Sequence, residues 1–256
     1  MPLSPVDWQR RFSLQAEWTR QARQYLFQRA GISTPHSVLD VGCGTGAISK
    51  EVSTNHGLKI FGLDISYDFL KIAAQEVPNA QFIRGDAHQI PIKGGAFDHT
   101  YCHFLLLWVE RPLNVIKEMI RVTNPGGAIL VLAEPDYGGR IDFPEELTIL
   151  GEWQQAALRQ QGAEPLIGRQ LAALLHQADL QKIEVGVIGA QWISPPSESE
   201  LRSEWEVIRS DLEYLSLNSE QVQLAESLKQ SDLNAWASGE RTLFVPTFYA
   251  LGWVPD

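Results

Sequence analysis

From about Trp8 to Ala30, apolar residues return at helical spacing, with Phe12, Ala16, Trp18, Ala22 and Leu26 along one side and Gly31 closing the run. Short apolar runs then alternate with amphipathic stretches. Val38–Val41, Leu58–Leu63, Gln81–Ile83, Phe97–Cys102 and Gly127–Ala133 read as five strands. Between them Ala47–Ser53, Tyr67–Glu76 and Pro112–Val122 read as helices. That rhythm predicts right-handed βαβ units, and hence a parallel sheet covered by helices on both faces.

After Ala133 the rhythm changes. Asp142 to Glu146 brings proline and acids together in the manner of a first helical turn, predicting a helix from there to about Gln161. A second helix is expected over Ile167–Ala178, then a long strand over Gln181–Trp192, interrupted at Ser194–Pro196. Leu201, Trp205, Ile208, Leu212 and Leu215 fall at gaps of four and three, an apolar stripe on one helix. A further helix covers Glu220–Ala237. The last strand spans Arg241–Leu251, with Pro246 marking a bulge or an edge. The expected fold is α/β: a doubly wound, Rossmann-like sheet carrying an N-terminal helix, with a helical cap before the last strand. One structural domain is expected, with residues 1–35 as a helical lid, 36–135 as the ligand-binding core, and 136–256 as the remaining strands and the cap.

Composition narrows the partners. The 256 residues are 44% hydrophobic and 20% charged, an ordinary globular balance, and the formal net charge is -10. An acidic surface repels phosphate backbones, and the nearest thing to a basic patch is Arg10–Arg11 with Arg20 and Arg23, so no nucleic acid is expected. Cys43 and Cys102 lack the paired spacing of a zinc site and make no disulfide framework, so no metal is expected. With neither a signal-peptide pattern nor an apolar run of membrane-spanning length, the expectation is a cytoplasmic protein without a membrane partner, a monomer or homodimer.

The chemistry concentrates in Ser37–Ile48, where Gly42, Gly44 and Gly46 follow the first strand. In a doubly wound sheet this loop lines the crevice beyond the strand ends, and glycines let a ligand approach the backbone. Gly42, Gly44 and Ala47 match the dinucleotide pattern G-x-G-x-x-A, which keeps a nicotinamide-dependent oxidoreductase open as a reading. Asp64 ends the second strand about twenty residues on, where a carboxylate accepts the two hydroxyls of a ribose. Asp86, with the Ala87 N–H beside it, follows the third strand and suits an adenine edge; a turn aspartate is the alternative. Asp40 sits two positions before Gly42. A negative group there disfavours a pyrophosphate and favours an ammonium or sulfonium, so the loop better matches a cationic nucleoside without phosphates.

Val38–Gly46, Gly62–Ser66, Gly85–Pro91, Phe97–His99 and Glu118–Gly127 together resemble the ordered motifs of class I S-adenosylmethionine-dependent methyltransferases, over roughly residues 37 to 135. The resemblance implies a seven-stranded sheet with its last strand antiparallel, and S-adenosylmethionine as cofactor. It also implies roles for residues: Gly42, Cys43, Gly44 and Gly46 around the methionine part, Asp64 on the ribose, Asp86 and Ala87 on the adenine. Ile65 would cover the adenine face, and Cys102 and His103 would lie near the sulfonium. Arg23 is a candidate for the cofactor carboxylate.

Catalytic residues are harder to read, because methyl transfer from a sulfonium mainly needs alignment and exclusion of water. His103, after the fourth strand, is the candidate base for a hydroxyl or amine acceptor, or a wall residue. Tyr137, after the fifth, is the candidate for lining the acceptor pocket. Glu134 and Asp136 either orient a substrate or cap the chain, and His99 is structural. Trp18 and Tyr25 either close over the cofactor or pack on the sheet. The expected activity is methyl transfer to O, N or C of a small organic acceptor, by in-line displacement. A protein or RNA methyltransferase and a catalytically silent cofactor-binding protein remain as alternatives.

Overall fold

The computed structural model describes residues 4–256 apart from 35, 57 and 190–195. Two helices open the chain, α1 (Pro5–Trp18) and α2 (Arg20–Arg29). The core then runs β1 (Ser37–Val41), α3 (Ala47–His56), β2 (Lys59–Asp64), α4 (Tyr67–Glu76), β3 (Gln81–Arg84), β4 (Phe97–Cys102), α5 (Pro112–Val122) and β5 (Thr123–Pro135). Beyond it come β6 (Ile141–Phe143), α6 (Thr148–Gln160), α7 (Leu171–Gln177), β7 (Gln181–Ile188), α8 (Glu198–Leu212), α9 (Ser219–Ser238), β8 (Thr242–Phe244) and β9 (Thr247–Trp253). Among the described residues, no helix is long and apolar enough to cross a membrane.

Seven strands form one sheet in the order β3-β2-β1-β4-β5-β9-β7. β9 runs antiparallel to both neighbours, and the other pairs are parallel, as the sequence predicted. Strand order reverses between β1 and β4, so the crevice for a ligand opens beyond the carboxyl ends of β1 and β4. Alternation along each strand divides the side chains between two cores. Leu39, Val41, Cys102, Ile129 and Val131 face Ile116, Met119 and Leu175 of α5 and α7. Val38, Ile60, Tyr101, Leu130 and Leu132 face Leu26 and Phe27 of α2 and Ile48 and Val52 of α3.

The cap has its own apolar centre, where Leu147, Leu150, Trp205, Ile208 and Leu228 join α6, α8 and α9. The stripe on α8 is therefore mostly core. Capping boxes at Ser197–Glu200 and Asn218–Gln221 start α8 and α9, and Gly239 ends α9 in a left-handed conformation, φ 76°.

Besides a 3-10 turn, Ile167–Gln170, at the start of the helix expected from Ile167, and an α8 that ends at Leu212, short of Leu215, the structure departs from the expected elements in three places. The single N-terminal helix is two, broken at Thr19, whose hydroxyl bonds back to the Gln15 and Ala16 carbonyls and bends the chain. Asp142 opens no helix. It lies in β6 because its carboxylate is held by Arg140 and Arg241, so the proline and acids after it form only a 3-10 turn, Glu145–Leu147, before α6. The last strand is also two: Pro246 has no N–H for a ladder, and β8 leaves the main sheet to pair with β6. β7 ends at Ile188, before Gly189; the rest of the expected extension to Trp192, and all of the break at Ser194–Pro196 except Pro196, lie outside the described residues.

Candidate active site

β1 ends at the turn Gly42–Gly46, and all three glycines have positive φ, 72°, 53° and 82°. Backbone forces the residue type here, since only glycine takes such angles without strain. Space adds to it at Gly42, where a Cβ would lie 2.7 Å from Leu105 Cδ1. Asp64 pins the turn to β2: its Oδ2 accepts from the Gly44 N–H at 2.8 Å and its Oδ1 from the Ser66 N–H at 2.8 Å. Each oxygen keeps a further lone pair for an outside donor. Burial raises the Asp64 carboxyl above its usual range.

Asp40 shares this end of the crevice. It is 1% exposed and accepts from Ser49 Oγ at 2.6 Å. Burial pushes its carboxyl up to about 7, and the charge of Asp64 adds to the shift. The expected fixed negative charge is thus a carboxyl poised near neutrality, because water is excluded from it.

A cavity of about 1020 Å³ opens from these residues and continues to the cap. Its wall includes Asp40, Gly42, Cys43, Gly44, Asp64, Ile65 and His103 at the sheet, and Trp8, Arg11, Phe12, Trp18 and Thr19 from α1 and the bend after it. Tyr137, Arg140, Gln154, Gln161, Glu204, Asp211, Tyr214, Trp236 and Arg241 line it beyond. Ile65 stands 67% exposed at the cavity wall, free to cover a flat group. The sheet end offers bare backbone and two carboxyls; the guanidinium of Arg11, on α1, is paired with Glu204 of the cap at 2.6 Å. That donor set suits a phosphate-free, positively charged nucleoside better than a pyrophosphate.

Several expected site residues lie elsewhere. Arg23 is 1% exposed and outside the cavity wall: it pairs with Glu51 and donates to Thr19 Oγ1 and the Ala16 carbonyl, so it braces α1 and α2 against α3. The Cys102 side chain points into the α5–α7 core, as the strand's alternation dictates, and its buried thiol is pushed far up. Gly46 faces a separate hollow of about 330 Å³ beneath α1. Asp86 lies outside the cavity wall and accepts from the backbone and Nδ1 of His88, which lower its carboxyl; Ala87 is buried beside it. Glu118 and Arg121 fix that loop by bonding the Ile90 N–H and the Ile90 and Ile92 carbonyls.

His103 does line the cavity. Its Nε2 lies 2.9 Å from Thr19 Oγ1, and burial, with the Arg23 charge, pulls its pKa down to about 3. Tyr137 also lines it, with a phenol pushed up to about 12 by burial and by Glu204. Glu134 takes the capping role. It accepts from the N–H groups of Leu105, Leu106 and Leu107, which hold the loop carrying His103. Asp136 is held by Arg169 and the Gly138 N–H. His99 is structural: its Nδ1 accepts from the Ala128 N–H, and burial lowers its pKa to about 4. Trp18 faces the cavity, whereas Tyr25 packs on Tyr249 and donates to Glu184.

The polar wall of the cap was missed. Asp142 joins Arg140 and Arg241, Arg241 joins Asp232, and Arg140 donates to Gln154, which donates to Asp211. A signal was present: Glu204 and Asp211 stand seven residues apart beside the apolar stripe, and Gln154 of α6 and Gln161, the residue just after it, have the same spacing.

A methyltransferase-domain family model matches residues 39–131. A demethylmenaquinone methyltransferase of Renibacterium salmoninarum is 30% identical over 221 residues, covering 85% of this chain and 84% of that protein. Among solved structures, the complex of the Haloferax volcanii Trm112 methyltransferase activator with a methyltransferase is similar at TM-score 0.63 and 18% identity, covering 96% of this chain and 94% of that one. Phosphoethanolamine N-methyltransferase 2 of Haemonchus contortus, solved with S-adenosyl-L-methionine, gives 0.60 and 18%, covering 95% and 57%. The two structures speak for the fold, and the bacterial relative, matched along most of both chains, speaks for more: the chain belongs to the class I S-adenosylmethionine-dependent methyltransferases, enzymes that draw their methyl group from that cofactor.

Proposed function

We propose that this methyltransferase acts on a small, ring-bearing organic acceptor of the quinone kind, held between sheet and cap. The observation that carries the reading is one continuous cavity of about 1020 Å³, large enough for cofactor and acceptor together and lined by aromatic side chains from lid and cap. The relative's name, a demethylmenaquinone methyltransferase, supports the acceptor class.

In this reading Gly42, Cys43 and Gly44 receive the methionine part, Asp64 the ribose hydroxyls, and Ile65 the adenine face, with Asp86 and Ala87, which lie outside the cavity wall, reaching only the far edge of the adenine. When bound, the cofactor supplies an activated methyl group for in-line displacement. The chain's residues align the acceptor and exclude water. Trp8, Phe12 and Trp18 of the lid serve the exclusion, and the pair Arg11–Glu204 joins lid to cap across the cavity. Neutral His103 is a weak base for an ordinary hydroxyl or amine, whose pKa lies far above its own. We assign it to the wall, where Thr19 holds it. Tyr137 stays protonated and donates to the acceptor.

The test is transfer of labelled methyl from S-adenosylmethionine to a 2-alkyl-1,4-naphthalenediol kept reduced. Label in the organic extract is expected. Label found only in added protein or RNA overturns the acceptor class.

Asp40 gives a second expected result. A cationic ligand favours its ionised form, so binding S-adenosylhomocysteine, which carries an α-ammonium, releases protons near pH 7. Affinity then falls by up to about tenfold per pH unit below 7. Calorimetry in buffers of different ionisation heat measures the release, and Asp40→Asn should abolish it. Equal proton release from both proteins would assign the effect elsewhere.

A further inference from the structure

Asp211, in the cap's part of the wall, has a setting that neither cofactor binding nor packing requires. It is 8% exposed and lines the cavity. Its Oδ2 accepts from Gln154 Nε2 at 3.0 Å and its Oδ1 from Gln161 Nε2 at 3.1 Å. Of the cap's other acids in the wall, Glu204 has Arg11, Asp232 has Arg241, and Glu200 sits in the capping box of α8. Among the described residues Asp211 has no cation within salt-bridge distance. A carboxylate has about four acceptor sites, and the two glutamines fill two.

The glutamine cradle is itself fixed. Arg140 donates to Gln154 Oε1 at 2.6 Å, which turns that amide so that its NH2 faces Asp211, and Arg140 is held in turn by Asp142. The chain Asp142–Arg140–Gln154–Asp211 thus presents a rigid, desolvated acceptor to the cavity, the arrangement that gives a polar contact its specificity. Tyr137, in the same wall, has a hydroxyl with no partner among the described residues and supplies a complementary donor.

We propose that Asp211 anchors the methyl acceptor, taking a hydrogen bond from a hydroxyl group on a neutral, ring-bearing molecule; this rests on the methyltransferase reading above and specifies its substrate. A hydroxyl fits better than an ammonium for a stated reason. The guanidinium groups of Arg11, Arg140 and Arg241 in the wall are already matched by Glu204, Asp142 and Asp232, and an ammonium would be one further ion to strip of water in this buried wall. A neutral donor completes the acceptor without bringing in a charge. The site also discriminates, because an analogue lacking the hydroxyl covers the carboxylate while leaving it only its two glutamine donors.

The experiment measures binding of 1-naphthol, 1-methoxynaphthalene and the ammonium form of 1-naphthylmethylamine to full-length protein saturated with S-adenosylhomocysteine. Naphthol should bind at least tenfold more tightly than the ether and than the ammonium. In Asp211→Leu the advantage over the ether should fall below twofold. If that variant does not fold, Asp211→Asn, of the same shape with one acceptor oxygen replaced by a donor, should cut the advantage at least threefold. Equal binding of naphthol and ether by the natural protein, tighter binding of the ammonium, or an undiminished advantage in the variants each overturns the anchor. Methyl transfer to the naphthalenediol without any naphthol preference would sustain the reaction and remove the anchor. Naphthol preference without transfer would do the reverse.

Discussion

Asp64→Ala should lower affinity for S-adenosylhomocysteine about a hundredfold, the largest loss expected from any single change at the sheet end of the cavity. Two effects combine. In the proposed binding mode the carboxylate takes both ribose hydroxyls, and losing charge-assisted bonds of this kind costs about 1.5–3 kcal/mol. The same carboxylate also fixes the glycine turn through the Gly44 and Ser66 N–H groups. Removing it frees the turn that must lie against the ligand, so part of the binding energy goes to reordering it. Together these come to about 3 kcal/mol, or two decades in Kd. Asp64→Asn keeps one acceptor oxygen and sets an NH2 against a backbone donor, so it should fall between. Calorimetry, with a urea midpoint to check the fold, measures both. An alanine variant within threefold of the natural protein would remove Asp64 as the ribose partner.

The core of this fold was legible because its signals are local. Strand alternation and glycine spacing are set by sterics within a few residues, and the β1–β5 order follows from right-handed crossovers. Asp64 and the Gly42–Gly46 turn were legible for the same reason. The cap was not. Whether Asp142 starts a helix or ends as a buried strand residue is decided by Arg241, which no local pattern connects to it. Arg23 is a candidate for the cofactor carboxylate in the sequence, but in the fold it lies outside the cavity wall. Its orientation is set by Glu51 on α3, a tertiary partner. Asp40 shows the same limit in energy: it lies in the cavity wall, but the charge of a carboxyl depends on burial, which the sequence does not display.

Glu134→Ala should be the most destabilising single substitution, by about 4 kcal/mol, a large fraction of an ordinary domain's stability. Glu134 is fully buried at the end of β5 and accepts from three successive N–H groups, Leu105 at 2.9 Å, Leu106 at 2.7 Å and Leu107 at 3.2 Å. Leu106 and Leu107 are themselves in the core, so water cannot replace the carboxylate without opening it. Each buried donor left unpaired costs about 1–3 kcal/mol, and partial rearrangement brings three of them to the figure above. The substitution should also reach the site, because His103, Phe104 and Leu105 line the cavity on the segment Glu134 secures. Glu134→Gln separates shape from charge. Burial pushes the Glu134 carboxyl up to about 8, against the pull of the three N–H groups. The native state therefore binds a proton that the unfolded chain, with an ordinary glutamate, has released. Its contribution is present in full below the unfolded value and is lost as pH rises through about 8. The Gln variant lacks this titration, so between pH 5 and 8 its urea midpoint should fall less steeply than that of the natural protein. Asp40 titrates in both proteins and cancels in the difference. Parallel slopes would mean that Glu134 stays ionised in the fold, its charge carried by the three amides and the end of the strand.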